Sequence, residues 1–237
     1  MKKLVTILCL VAVFGLANGY ALEKTVEWSD PDDIPAWEMQ LTCTVVYYNY
    51  CTGWVWNWGG WGPNEVVGQA VETCCAGGSD LVQSRFRVRD SAPPGYGFTG
   101  SIAVHATDPG PCPGMVIASQ AYLPTSGWQV VDWGSVSVPS EFVVTMTFGA
   151  ASGNPARIRT DHPSAGPTGP DACGYCYPLS RVAHGYQYGT VESPLCPGIP
   201  FDDPGSICDA ELMWDHTLHC AVAVDETSWG RVKSLYR

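Results

Sequence analysis

Phe142-Val143-Val144-Thr145-Met146-Thr147-Phe148 alternates with a period of two. Phe142, Val144, Met146 and Phe148 share one face and Val143, Thr145 and Thr147 the other, because successive side chains of a strand point to opposite sides. A helix would space its apolar residues three and four apart. The same period recurs in Val82, Phe86 and Val88 against Arg85, Arg87 and Arg89, and in Ile102 and Val104 against Ala103 and His105. Thr44 to Tyr48, Trp128 to Trp133 and Leu218 to Val224 are β-branched or aromatic runs of strand length. Turn clusters separate them: Ser91 to Gly95, Asp108-Pro109-Gly110-Pro111, Pro139-Ser140 and Ala151 to Pro155. With 26 Gly and 19 Pro the chain is cut into short pieces, the pattern of a sandwich or barrel. The expected fold is all-β: an antiparallel, disulfide-bonded, jelly-roll-like β-sandwich from Leu41 to about Gly189. Asp161 to Tyr177 and Glu192 to Glu211 read as irregular loops. No repeat of solenoid or propeller length occurs.

The ends differ from the middle. Met1-Lys2-Lys3 followed by an apolar run from Leu4 to Leu16 and small residues near Ala21 reads as a secretory signal peptide over 1–21. The body would then span 22–225, with an amphipathic, helical or irregular tail over 226–237 that places Trp229, Val232, Leu235 and Tyr236 on one face. Export fits the cysteines. Of 11 in the chain only Cys9 falls in the leader. Cys43, Cys51, Cys74, Cys75, Cys112, Cys173, Cys176, Cys196, Cys208 and Cys220 remain as a disulfide framework. The vicinal Cys74 and Cys75 are expected to reach two different partners. Local closure is expected for Cys196 with Cys208 and for Cys43 with Cys51. Cys173-Gly174-Tyr175-Cys176 lacks the strand–helix context of a redox motif and a second pair for zinc. These features place the protein outside the cytoplasm: secreted, periplasmic or at the cell surface of a bacterium.

The formal net charge is −11, from 12 basic and 23 acidic residues. Nucleic acid is excluded as a partner, since phosphate binding needs a basic footprint. No later stretch is apolar and long enough for a transmembrane segment. The acids cluster as Asp30, Asp32 and Asp33, and as Asp202, Asp203, Asp209 and Glu211. Calcium takes six to eight oxygens, and a structural calcium is the one ion such clusters suit. Neither has EF-hand spacing, so solvated surface acid is the favoured reading and no cofactor is expected.

Trp54-Val55-Trp56-Asn57-Trp58-Gly59-Gly60-Trp61 carries four indoles in one short stretch. On a strand, Trp54, Trp56 and Trp58 share a face. Exposed, the row would stack on sugar rings; turned inward, it would cover the core. Asp161-His162 opens a Gly/Pro-rich loop in which a polar site is easily built. The candidate ligand-binding residues are therefore Trp54, Trp56, Trp58, Trp61, Asp161 and His162. Arg85, Arg87 and Arg89 with Arg157 and Arg159 form two stripes, read as cross-strand partners for acids or as a seat for acidic glycans. His216 and His219 fall on opposite faces of a strand, which disfavours a shared metal. No Gly-x-Ser-x-Gly elbow occurs, and no catalytic residue is assigned.

Pro113-Gly114-Met115-Val116-Ile117-Ala118-Ser119, Gly127-Trp128-Gln129-Val130-Val131 and Pro139-Ser140-Glu141-Phe142-Val143-Val144, with Arg159-Thr160-Asp161 after them, form a cadence. It resembles jelly-roll modules of the galactose-binding-like type in secreted proteins of poorly characterised environmental bacteria. The resemblance implies three successive strands and carbohydrate binding or an accessory role. The functional expectation is a secreted, non-enzymatic binding or surface-associated protein, carbohydrate-binding through an aromatic face, with a glycan or cell-surface partner. The alternatives are a structural subunit of an extracellular assembly or matrix, and a glycan-acting hydrolase.

Overall fold

The computed structural model describes residues 23–28, 42–48, 54–75, 78–89, 100–122, 127–149, 157–162, 183–201 and 210–220. The leader, the C-terminal tail, Cys51, Cys173, Cys176, Cys208 and the Asp30 to Asp33 and Asp202 to Asp209 clusters lie outside them. The described residues form strands without a helix. In chain order these are β1 (Glu23–Trp28), β2 (Thr42–Val46), β3 (Trp54–Gly59), β4 (Glu65–Glu72), β5 (Ser79–Arg89), β6 (Gly100–Asp108), β7 (Cys112–Tyr122), β8 (Gly127–Val138), β9 (Glu141–Phe148), β10 (Arg157–Asp161), β11 (Gly185–Thr190), β12 (Pro194–Pro200) and β13 (Trp214–Cys220).

They make two antiparallel sheets packed face to face. The six-stranded sheet runs β12-β11-β4-β9-β6-β7. The seven-stranded sheet is forked. The long strand β5 carries β8 along one edge. Its other edge pairs with β13 over most of its length and with β10 at Val88 and Arg89. Met213 stands where the branches part: its N–H donates to the Arg159 carbonyl, and its carbonyl accepts from the Arg87 N–H. One branch continues to β2 and the other to β3 and β1.

The alternation in Phe142–Phe148 now has a direction. Phe142, Val144, Met146 and Phe148 face the other sheet and are fully buried with Val67, Ile102 and Val104. Phe86, Val88, Leu81, Ile158, Trp214 and Leu218 meet them from the seven-stranded sheet. At roughly 25 cal/mol per Å² of apolar surface removed from water, this layer is the main driving force for folding. The outward side of β5 carries the arginines. Arg85 grips Asp215 with two hydrogen bonds of 2.7 Å each, and Arg85 and Arg87 lie over the Trp128 ring.

One polar chain crosses the apolar layer. Trp133 Nε1 donates to Ser84 Oγ at 2.8 Å. Ser84 Oγ lies 2.9 Å from His216 Nδ1, and His216 Nε2 lies 3.0 Å from Gln69 Oε1. Gln69 Nε2 in turn donates to the Leu212 carbonyl. Because indole only donates and a carbonyl only accepts, the direction is fixed. Ser84 donates to Nδ1, and the imidazole carries its proton on Nε2. Ser84, His216 and Gln69 are all fully buried. The Ser–His contact is therefore sealed from any substrate and ties the two sheets together.

Three disulfides fall among the described residues: Cys43–Cys74, Cys75–Cys220 and Cys112–Cys196. The vicinal pair does reach two partners. The expected local closures are corrected: Cys43 bonds Cys74 rather than Cys51, and Cys196 bonds Cys112 rather than Cys208. Strand pairing brings cysteines that are distant in the sequence within bonding reach. A second correction concerns Glu192 to Glu211, where Pro194–Pro200 is the strand β12. Its prolines are tolerated because β12 is an edge strand, with no neighbour demanding their missing N–H groups.

Burial pushes the His216 imidazole from its ordinary 6.5 to about 3. Between those values the unfolded chain binds a proton that the folded one excludes, so stability falls as pH drops through that window. Thermal melts from pH 7 to pH 3 are expected to show a declining midpoint, with a shallower decline in His216→Gln. His105, also lowered by burial, adds a slope of the same sign. His216→Leu, which strands Ser84 and Gln69, is expected to cost about 2–5 kcal/mol in denaturant titrations.

Candidate functional site

The outer face of the six-stranded sheet is the side left by the alternation: Val143, Thr145 and Thr147 of β9, Ser101, Ala103 and His105 of β6, and Val66, Gly68, Ala70 and Glu72 of β4. Strand register places Ser101 opposite Thr147 and Ala103 opposite Thr145. Side chains here are small, so the face has depth.

Its two edges meet. In a flat sheet, six strands about 4.8 Å apart would hold β7 and β12 roughly 24 Å from each other. The disulfide between Cys112 of β7 and Cys196 of β12 instead brings their Cα atoms to 5.6 Å. Sheet curvature covers part of the gap and a bulge covers the rest. Gln187 pairs with Ile199 but Gly189 with Pro194, so β12 spends extra residues there. The bulge lies against β11: a Cβ on Gly198 would stand 2.8 Å from the Tyr188 ring. Tyr188 also presses on Gly68, where a Cβ would come within 2.9 Å of it. The Tyr188 hydroxyl donates to the Pro111 carbonyl. Bulge, disulfide and tyrosine form a bar across a trough. Val143, beneath it, is fully buried without belonging to the inter-sheet core.

A pocket lies on each side of the bar. The larger, of about 340 Å³, holds five hydroxyl side chains: Ser101, Ser119, Thr145, Thr147 and Thr190. Val66, Val116 and Val191 add apolar wall, and His105 and Tyr188 complete the polar set. His105 Nδ1 lies 3.0 Å from the Gly114 carbonyl and its Nε2 lies 2.9 Å from Thr145 Oγ1. The carbonyl can only accept, so Nδ1 carries the proton and Thr145 donates to Nε2. Burial lowers the His105 pKa and raises that of Tyr188, so both are neutral at pH 7. Among the described residues, no Lys, Arg, Asp or Glu lines this pocket.

The smaller pocket, of about 230 Å³, is acidic. Glu72 and Glu141 line it with Thr107, His184 and Tyr186. The two glutamates are direct cross-strand neighbours, and neither has an ion-pair partner among the described residues. His184 is held from behind: its Nδ1 lies 3.1 Å from Glu211 Oε1, and its ring stacks on Tyr47 at 3.5 Å.

The residues expected from the sequence lie elsewhere. Trp58 and Trp61 are in the inter-sheet core, 2% and 5% exposed. Trp58 Nε1 donates to Thr160 Oγ1 and meets Phe201 edge-on; Trp61 stacks on Phe148. Of the two orientations the sequence left open, the face shared by Trp56 and Trp58 takes the core-covering one. Trp56, half-buried, packs against that core and stacks on His162 at 4.4 Å. Asp161 is buried and accepts from the Glu211 N–H at 2.8 Å. Trp54 contributes backbone to β3; its side chain is outside what the structure describes. The residues of the trough went unread in the sequence: His105, Thr145 and Thr147 stood at outward positions of predicted strands, but Val66 and Thr190 lie on β4 and β11, which were not read as strands.

Comparison with known proteins adds little. No family model matches the chain, and no curated protein matches it. One solved structure that aligns is "The crystal structure of the cysteine protease and lectin-like domains of Cwp84, a surface layer associated protein of Clostridium difficile". The alignment covers 76% of this chain and 36% of that one, at 10% identity and a TM-score of 0.42.

Like charges directly opposite on a sheet repel. Glu141→Gln is expected to raise the melting temperature at low salt, by the equivalent of about 0.2–1 kcal/mol. The gain should shrink in about 1 M salt, where screening is nearly complete.

Proposed function

We propose that the chain is an exported, non-enzymatic glycan-binding protein and that the hydroxyl-lined pocket of the trough is its ligand seat. The observation that carries this is the lining itself: five hydroxyls and two neutral aromatic groups, with no charged side chain among the described residues, in a protein of net charge −11. Each hydroxyl both donates and accepts, as each sugar hydroxyl does. Val66, Val116 and Val191 offer surface to the C–H faces of a sugar ring. A volume of about 340 Å³ is at the small end of ligand pockets, roughly 300–1,000 Å³. An extended peptide would instead seek a free strand edge, whereas this seat is a sheet face.

The acidic surround selects against charged ligands. Uronic or sulfated glycans would meet Glu72 and Glu141 beyond the bar and a negative surface elsewhere. The three disulfides fit an oxidising, extracytoplasmic compartment. The Ser–His pair that could suggest hydrolysis is closed inside the core, which favours binding over chemistry.

A glycan array followed by calorimetry tests the reading. The protein is expected to retain neutral glycans, and Ser101→Ala with Thr147→Val to weaken them about tenfold or more, roughly 1.4 kcal/mol. Trp56→Ala should bind as wild type. An array without a neutral ligand, or binding lost in Trp56→Ala and kept in the double variant, would overturn it.

A further inference from the structure

The bar has a consequence for what part of a glycan can be bound, and this inference rests on the trough being a glycan seat. We propose that the protein reads the ends of neutral glycan chains, the terminal sugar abutting the bar, rather than segments within a chain.

β7 and β12 are the two outermost strands of their sheet, and a covalent bond joins them across the concave face. Any chain lying along the trough must pass under, over or short of that bond. Passage under it is closed. The Tyr188 ring lies on Gly68 so closely that a single added carbon would collide with it, and Val143 has no exposed surface. The linings of the two pockets support the division, since they share none of the described residues. Pro111 faces the acidic pocket and Pro113 the neutral one, on either side of Cys112. Tyr186 and Tyr188 divide in the same way on β11.

Passage over the bar lifts the chain off the floor of the trough and carries it across Cys112, which is 3% exposed and has no polar side-chain group to offer. Among the described residues the neutral pocket is open to solvent, with Ser101, Thr147 and Thr190 lining it away from the bar. The geometry thus admits a terminal unit with the rest of the chain trailing outward. Either the reducing or the non-reducing end satisfies it, and chemical capping distinguishes them.

The probes are malto-, cello-, xylo- and manno-oligosaccharides of two to six units, with the parent polysaccharide of each. For the series that binds, affinity per mole of chain is expected to level off by the trisaccharide. The parent polymer should bind in proportion to its ends, not its mass. Reduction of the reducing end to the alditol should abolish binding about tenfold or more if that end is read, and leave it unchanged if the other is. Affinity that climbs with every added unit, or polymer binding in proportion to mass, overturns end recognition while leaving the glycan seat standing. If none of these probes binds although the array has identified another neutral glycan, the same ladder is built from that glycan. If no neutral glycan binds at all, both readings fall. Cys112→Ser with Cys196→Ser removes the bond and is expected to raise polymer affinity about tenfold over wild type. Should that variant not fold, the wild-type ladder decides alone.

Discussion

The Cys112–Cys196 closure is the constraint on which the outer architecture depends. A six-stranded sheet left to its own twist would present a broad, shallow surface. Joining its first and last strands forces curvature toward the outer side, and that curvature creates the trough. The small residues at Gly68, Ala70 and Ala103 follow from it, since bulk there would fill the concavity. The β12 bulge follows as well, because curvature alone does not bring two edges within a disulfide's reach. The inner side of the same sheet carries the large apolar residues, as the convex side of a curled sheet has room to splay them.

Inside, the sandwich is held by apolar burial and registered by a single polar thread. Apolar contacts are non-directional, so two greasy sheet faces can slide without great loss. The Trp133–Ser84–His216–Gln69 chain cannot slide: each link has one donor, one acceptor and so one proton direction. A one-residue slip would leave several buried polar groups without partners, at about 1–3 kcal/mol each. The thread joins β8, β5 and β13 of one sheet to β4 of the other. It therefore fixes the relative position of the strand that floors the trough.

How far the sequence reached depends on what alternation can encode. Period two in Phe142–Phe148 identified a strand and the members of each face. The structure then turned the face with phenylalanine and methionine, not that with threonine, to the core. In Trp54–Trp58 the same logic paired Trp56 with Trp58 correctly but gave no direction. Both faces of β3 are largely apolar, and only its neighbours in the sheet decide which is covered. The trough was illegible for a different reason. Ser101, Thr147, Ser119 and Thr190 sit on four strands, and as single residues they are ordinary outward positions. Their convergence is a property of strand order. Cysteine pairing failed on the same ground, since Cys112 and Cys196 are 84 residues apart and only the curled sheet unites them.

The other two bridges share one corner of the molecule. Cys43 is bonded to Cys74, yet its sulfur also lies 3.5 Å from that of Cys75, which is bonded to Cys220. Proximity there does not distinguish the native partner from its immediate neighbour. What distinguishes them is the alignment of β2 and β13, which pairs Cys43 with Leu218 and leaves Cys220 to reach the loop after β4. The correct covalent pattern is thus a record of non-covalent order. Oxidation that overtakes strand pairing at this corner has no local information by which to choose correctly.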